Sequence, residues 1–597
     1  MKAERKDTDV LIIGGGSAGM SAALEANARG ADVLMVVKGK MGRSGATPLA
    51  SCLAGAAPVW GPYALLTACK RLYAKLRSVL PLPVPQTYDD AMRKMLEFHY
   101  WLVDQDYFLD YGLWVSKRFY PALESTGLHV RRDETGTPVL PPGDFGYYIL
   151  HSHGMTGYQY GESRRKQVLQ AGIQIHEEAM AFTLLKDAGG GISGAMVYDY
   201  RYGRLYQVRA KTTILATGHT NWLSKRATGT REMAANGLAM AVNAGAALHN
   251  LEIQWFHASD QAEPESWMRL HNYPNPLTGT DHRASMVNGQ GYRYMRIEDY
   301  DTVMPYTIQM KKLYQQVQEG NATWEDGNYT DYQLVEPHAL QAYQYHWEFY
   351  EKLGMDMSTD RFKSVPTWHM SAGGVKADVT TMRTDVEHLY IAGAVGGHML
   401  GALTLAAYDG ELAGRHASQE ARSRAIPEVN HDAVEAAEAR IALLLDGGAR
   451  AKNSPPASPI EIKRKIRKTV WNNMMYAKTA TGLEQALEEL AEIRDHWLPR
   501  LTLRSSTRRY NTDLMDALDL EDMLNVCEMS AHASLRREES RGPHFREDFP
   551  YTDNDNWIKE IQVRREHGEV VTRLKDIEQK YLQPAPGRID YLNEPLA

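Results

Sequence analysis

Residues 7–38 read DTDVLIIGGGSAGMSAALEANARGADVLMVVK, and the order of their features decides the fold. Val10–Ile13 is a short apolar run bounded by a glycine cluster, which predicts a buried strand. Gly14, Gly16 and Gly19 follow in G-x-G-x-x-G spacing, with Ser17 and Ala18 between them. Met20–Arg29 is Ala-rich and stops at Gly30, as a helix would, and Val33–Val37 reads as a second strand. A lone glycine fingerprint says little. Set between a strand and a helix, with a second strand after it, it predicts a dinucleotide site of the Rossmann-like α/β class. The glycines permit a tight turn and close backbone approach, and the helix N-terminus receives the phosphates.

The second strand ends without the acidic residue that usually holds the ribose, and Lys38 stands there instead. That weakens a plain NAD reading and leaves a flavin one standing, with Arg43, Ser44 and Gly45 in the following turn as candidate contacts. Two distant segments complete the expectation. Residues 172–218 alternate apolar positions through Phe182 and the hairpin turns beyond it, and end at Ala216-Thr217-Gly218; Asn236 follows. Residues 385–415, DVEHLYIAGAVGGHMLGALTLAAYDGELAGR, supply a further strand over Leu389–Ala392, a turn at Gly393, and a helix carrying Leu403 and Thr404. Three pieces spread over some 400 residues converge on one cofactor, FAD.

At 597 residues the chain exceeds a single core and predicts two or three domains. Its 43% hydrophobic and 24% charged residues fit a soluble globular protein. A net charge of -7 argues against a nucleic-acid partner. No window approaches a membrane span, and the N-terminus leads into a strand with no signal-type apolar region, so a cytoplasmic location is expected. Cys52, Cys69 and Cys527 lie too far apart in sequence for a cluster motif. No metal site is expected.

Four further stretches carry a family resemblance: LEIQWFH (251–257), NGQGYRYM (288–295), HMSAGG (369–374), and a C-terminal pair, NTDLMDALDLEDML (511–524) with ESRGPHFREDFPYTDNDNWIK (539–559). Together they resemble the flavoprotein subunits of succinate dehydrogenase and fumarate reductase, with L-aspartate oxidase and adenylylsulfate reductase α for cousins. The resemblance spans nearly the whole chain. It implies a Rossmann-like FAD-binding domain in two parts (1–249 and 361–425), an inserted α+β capping domain (250–360), and a helical C-terminal domain with a tail (426–597). It also implies hydride exchange between flavin N5 and a small substrate beneath the cap.

The departures from the family pattern bear on the substrate. Arg43-Ser44-Gly45-Ala46 stands where relatives with covalent flavin carry R-S-H-T, so the FAD is expected to be non-covalent. Adenylylsulfate reductase α reads R-S-G-A at this point. The proton-donor arginine of the fumarate enzymes is matched only by Arg283, three residues out of register. Their second substrate arginine falls in a run that here reads His398-Met399-Leu400-Gly401. His257 is retained, and the Ala258-Ser259-Asp260 run that follows it in place of the family's P-T-G offers a hydroxyl at Ser259. By resemblance, His257 and His369 anchor the substrate, Arg283 is the available proton donor and His398 edges the substrate space. Losing one side of a buried carboxylate–arginine pair costs about 3–5 kcal/mol, so fumarate and succinate are expected to be poor substrates.

Three functions compete on this basis. The first is a dehydrogenase or reductase acting on a small anionic substrate other than fumarate or succinate, with an iron–sulfur (ferredoxin-like) partner. A variant of it is an adenylylsulfate reductase α-like subunit. The second is a free-standing oxidase of the L-aspartate oxidase type, betrayed by peroxide. The third is an electron-transfer subunit without substrate chemistry, which the retained His257 and His369 disfavour. The aromatic run around Phe98, Trp101, Leu102 and Phe108 is expected to be packed core on one helix.

Overall fold

The computed structural model describes residues 2–50, 53–54, 92–93, 96–130, 132, 136, 146–147, 156–263, 285–296, 306–335, 340, 344–398, 403–447 and 455–593. Its main layer is a seven-stranded sheet. Strand Glu4–Ile13 lies between Val33–Val37 and Arg204–Leu215, parallel to both, and Gln174–Glu177 extends the edge beyond Val33–Val37. Strands Ala179–Lys186 and Ile192–Asp199 run antiparallel beside Arg204–Leu215, forming the excursion the alternation predicted. Leu389–Ile391 rejoins the sheet parallel to Thr213–Leu215, about 180 residues later. The first strand begins six residues earlier than the apolar run suggested, because its polar start pairs with Tyr206–Ala210.

Helices Ser17–Ala28 and Leu403–Ala421 cross one face of this sheet in close contact. A Cβ at Gly410 would sit 2.3 Å from the Ala18 carbonyl oxygen, and one at Gly414 would sit 2.5 Å from that of Ala22. The small residues of the later helix therefore serve backbone-to-backbone packing.

A second, five-stranded sheet orders Gln254–Glu263, Arg361–Ser371, Asn328–Asp331, Ser285–Asn288 and Arg293–Arg296, with helix Tyr306–Gln318 against it. Strand Arg361–Ser371, which lies just beyond residue 360, pairs with Gln254–Glu263 and Asn328–Asp331 of this sheet.

Helices Pro459–Asn473, Ala480–Glu492 and Thr512–Arg536 pack together as the C-terminal helical unit. A capping box at Ser458 and Glu461, with Pro459 at the first helical position, starts the first of them. The tail is more than an appendage. Its hairpin Lys559–Glu566/Glu569–Asp576 builds a four-stranded sheet with Leu248–His249 and Gly374–Val375.

Two ionic networks lock these parts together. Glu252, Arg537, Glu539 and Arg541 are all almost fully buried, with Arg537 bridging Glu252 and Glu539 at 2.8 and 2.9 Å. On helix Thr512–Arg536, Asp516, Asp519 and Asp522 recur every three residues on one face. Lys463 bridges the first two at 2.7 and 2.8 Å.

The aromatic run is packed core, as read, although it is not one helix. Tyr100 and Trp101 have φ of 58° and 62°, and the helix starts afresh at Gln105 behind an Asp104 cap. Phe98 and Leu102 join Tyr100, Ile253, Trp255 and Met370 in one apolar cluster, while Trp101 and Phe108 belong to the main core.

Candidate active site

One long cavity runs over the ends of the parallel strands, from the first glycine turn to the residues around His369 and His398. At its first end the backbone leaves no room for side chains. A Cβ at Gly14, whose φ is +122°, would lie 2.1 Å from the Ala216 carbonyl oxygen, and one at Gly19 would lie 2.1 Å from that of Gly14. Gly14, Gly16, Ser17 and Ala18 line the cavity, and the amide of Ser17 donates to Thr47 Oγ1 at 2.9 Å. This glycine cradle at the N-terminus of helix Ser17–Ala28 fits a pyrophosphate.

Along the middle of the cavity lie Lys38, Ser44, Gly45, Ala216, Thr217, Gly218 and Asn236. Lys38 Nζ donates to Asn236 Oδ1 at 2.8 Å and Asp519 Oδ1 at 2.7 Å, and Asn236 Nδ2 donates to Asp522 Oδ2 at 2.7 Å. The departure at the end of the second strand thus has a partner far along the chain: the acidic face of helix Thr512–Arg536. Burial raises the Asp522 carboxyl to about 7, with the Asn236 contact acting against that rise. Glu232 also lines the cavity, and its carboxylate faces Gly39. No sequence signal marked it, because an acidic residue outside a motif looks like any surface carboxylate.

Four of the expected cofactor residues do not line the cavity. Arg43 is exposed and pairs with Glu162, its Nε and Nη2 at 2.5 and 2.7 Å from the carboxylate. Gly19 serves the packing described above. Thr404 is fully buried, and its hydroxyl meets the Tyr111 hydroxyl at 2.6 Å. Phe182 sits in the core, because successive strand residues point to opposite faces; its neighbour Ala181 lines the cavity instead. Gly393 and Leu403 line it.

The far end is made of side chains. In the pairing of Gln254–Glu263 with Arg361–Ser371, Trp255 faces Met370 and Phe256 faces Trp368, so His369 is the extra residue of a β-bulge. Bulges redirect side chains, and this one brings His369 to the cavity, its Nδ1 2.7 Å from Thr228 Oγ1. The backbone of His257 lies in the adjacent strand opposite Thr367, and its side chain is outside the described residues. Arg283, Met399, Leu400 and Gly401 also lie outside them.

The two glycines ahead of His398 have distinct reasons. A Cβ at Gly396 would come within 2.9 Å of the His398 ring, and Gly397, at φ +60°, would drive one into the Gly373 backbone at 2.3 Å. His398 is 9% exposed, lines the cavity and, among the described residues, has no hydrogen-bond partner for either ring nitrogen. Burial, reinforced by the neighbouring His249 and Lys376, holds its pKa well below the usual imidazole value. Burial also lowers His219, another lining residue, to about 4. Asp409 is buried at the same end. Its Oδ2 accepts from the Gly393 amide at 3.1 Å and its Oδ1 from the Tyr107 hydroxyl, and burial raises its carboxyl to about 7 despite both bonds. Among the described residues no cluster of His, Cys, Asp or Glu could hold a metal ion, and no helix is long and apolar enough to cross a membrane.

Comparison with known proteins agrees with this arrangement. An FAD-binding-domain family model matches residues 9–60 and 87–408, and a fumarate reductase flavoprotein C-terminal model matches residues 463–591. The fumarate reductase (CoM/CoB) of Methanothermobacter marburgensis has one chain that is 28% identical, over 95% of this chain and 98% of its own length. Among solved structures, a quinol fumarate reductase chain of E. coli superposes with a TM-score of 0.79 at 20% identity, covering 98% of this chain and 99% of its own. Adenylylsulfate reductase of Archaeoglobus fulgidus gives 0.74 at 18% identity, covering 98% of each chain. The chain belongs to the FAD-binding flavoprotein family that includes the fumarate reductase and succinate dehydrogenase flavoprotein subunits, and it is an FAD-dependent oxidoreductase.

Proposed function

We propose that this family member is the catalytic flavoprotein of a reductase or dehydrogenase whose substrate is a small anion other than fumarate or succinate, with a separate iron–sulfur protein as electron partner. The observation that carries the reading is the far wall of the cavity. Its described polar groups include His369, paired with Thr228, His398 and His219, whose pKa values burial lowers, and the buried Asp409, whose carboxyl burial raises. A neutral imidazole offers hydrogen bonds and no fixed cation, so it suits an oxygen-rich group better than a second carboxylate.

The bound FAD supplies hydride chemistry at N5, and the chain holds and orients it. In this reading Gly14, Gly16, Ser17 and Ala18 take the pyrophosphate, and Glu232 takes the ribose hydroxyls in place of the acid missing at Lys38. Lys38 serves by fixing Asn236. Ser44, Gly45, Ala216, Thr217, Gly218, Gly393 and Leu403 would border the ring system. His257 and His369 anchor the substrate from adjacent strands, His398 completes the wall and Arg283 stands as proton donor. The strands that carry His257 and His369 join the second sheet, whose closure over the substrate excludes water and strengthens each polar contact.

A reductive assay with a viologen dye and fumarate tests the substrate reading. Turnover far below 1 s⁻¹ is expected. Rates near the typical enzyme value of about 10 s⁻¹ would instead favour fumarate itself, the reading suggested by likeness to the M. marburgensis fumarate reductase.

Gly45 has no side chain to bond the flavin, so acid precipitation should leave the yellow colour in the supernatant. Colour retained in the pellet would overturn non-covalent binding. An untagged preparation should carry a brown iron–sulfur protein through purification. A lone yellow protein that makes stoichiometric peroxide would decide for an oxidase.

A further inference from the structure

His219 lines the cavity immediately after the Ala216-Thr217-Gly218 turn, at the end of strand Arg204–Leu215. Gly218 has φ +81°, and a Cβ there would lie an ordinary 3.6 Å from Met233 Sδ. Glycine therefore serves the left-handed turn and not a tight space. The turn carries His219 to strand Arg361–Ser371, where the Ser371 amide donates to its Nδ1 at 3.5 Å. Two residues on, Asn221 Nδ2 donates to the His369 carbonyl oxygen at 2.7 Å. Segment 219–221 is thus stitched twice to the strand that presents His369, and His219, Asn221 and His369 all line the cavity.

The Ser371 bond is long, but it distinguishes the two ring nitrogens. A nitrogen that accepts from a backbone N–H carries no proton of its own, and in a doubly protonated ring two hydrogens would face each other across this contact. His219 is therefore a neutral imidazole with its proton on Nε2. Burial acts in the same direction, holding its pKa down at about 4. Among the described residues Nε2 meets no hydrogen-bond partner, and the ring surface that remains accessible is cavity wall. One uncharged N–H donor is thus offered to the cavity beside His369.

We propose that His219 is a substrate-contacting, specificity-determining residue, whose Nε2–H donates to an oxygen of the small anion anchored by His369. The inference deepens the proposed function and rests on it for the class of ligand. An uncharged donor fixes where an acceptor oxygen must lie without demanding a particular ligand charge. A ligand with a methyl group at that point would leave the N–H desolvated and unpaired, which is how a hydrogen-bonding site rejects an analogue lacking the acceptor. The carbonyl oxygens of the flavin offer the same acceptor chemistry. The substrate is the better match, because both ties of segment 219–221 run to the strand of His369 and neither runs to the glycine cradle.

Two variants divide the work of the ring. His219→Asn keeps an acceptor for the Ser371 amide and removes the Nε2–H, whereas His219→Gln places an amide N–H close to the Nε2 position. Each holoenzyme is titrated with oxalate, malonate and sulfate, and Kd is read from the change in flavin absorbance. FAD dissociation is measured separately from the fluorescence of released flavin. For each anion that binds the native protein, Kd should weaken by about 10-fold to 100-fold in His219→Asn and be largely restored in His219→Gln, with FAD affinity unchanged in both. Native anion affinity in His219→Asn overturns the proposal, and so does an equal loss in both variants. FAD affinity that falls in step with anion affinity assigns the donor to the flavin and overturns it as well. If none of the three anions binds the native protein, the small-anion reading of the cavity fails and takes this inference with it; if they bind and His219→Asn is indifferent, the His219 assignment alone fails.

Discussion

At the end of the cavity near Ser17, the contacts a ligand would meet are backbone: glycines packed so closely that an added Cβ would lie 2.1 Å from a neighbouring carbonyl oxygen, and the first turn of a buried helix. At the end near His398 they are side chains whose protonation the fold has displaced, with His398 and His219 pushed down and Asp409 pushed up. Between the two ends Lys38 is spoken for, since it is bound to Asn236 and Asp519. The difference separates two tasks. Holding an invariant cofactor needs shape and dipoles that do not respond to pH. Handling a substrate needs groups that can give, take or share a proton, and burial tunes such groups at the cost of leaving some unpaired.

That comparison can be broken at either end. The largest effect belongs to the backbone end. Gly14→Ala would place a Cβ against the Ala216 carbonyl in a conformation L-residues rarely adopt. A loss of about 3–5 kcal/mol is expected, with FAD content collapsing in purified protein. A variant that keeps full flavin content and native denaturation midpoint would show that this end is not the rigid cradle described.

His369→Ala and His257→Ala should act in the opposite way. Each should keep FAD and lose turnover by about 10²–10³-fold on the native substrate, the typical cost of removing a group used in the transition state. Lost flavin would move that residue to the cofactor side of the comparison. Unimpaired turnover would remove it from the site.

The smallest effect is a pH slope. The folded pKa of Asp409, about 7, lies above its unfolded value near 3.9, so the folded state holds the proton more tightly. Its contribution to stability is therefore fully present below about pH 4 and lost as pH rises through about 7. Between pH 5 and pH 8 the native protein should lose about 2–3 kcal/mol of stability that Asp409→Asn retains. Parallel denaturation profiles for the two proteins would show that Asp409 does not titrate as its burial implies.

The sequence alone determined the elements that depend on local chain chemistry. A four-residue apolar run, three glycines at fixed spacing and an Ala-rich helix admit one arrangement, and Gly14 and Gly16 line the cavity as their spacing required. The C-terminal stretch 511–524 was recognisable as a motif, but its purpose was not. Only the folded chain reveals that Asp519 and Asp522 hold Lys38 and Asn236, because an ion pair between residues 38 and 519 leaves no trace in local periodicity. The same limit explains Arg43, whose carboxylate partner is 119 residues away, and Phe182, where a one-residue step in a strand exchanges cavity for core. It also explains His369, which a bulge re-aims, and His398, whose pKa is lowered by burial and then by His249 and Lys376 from two other segments. Backbone geometry is written in neighbouring residues. Burial and the charges around a group are properties of the assembled whole, and they exist only once the distant segments have met.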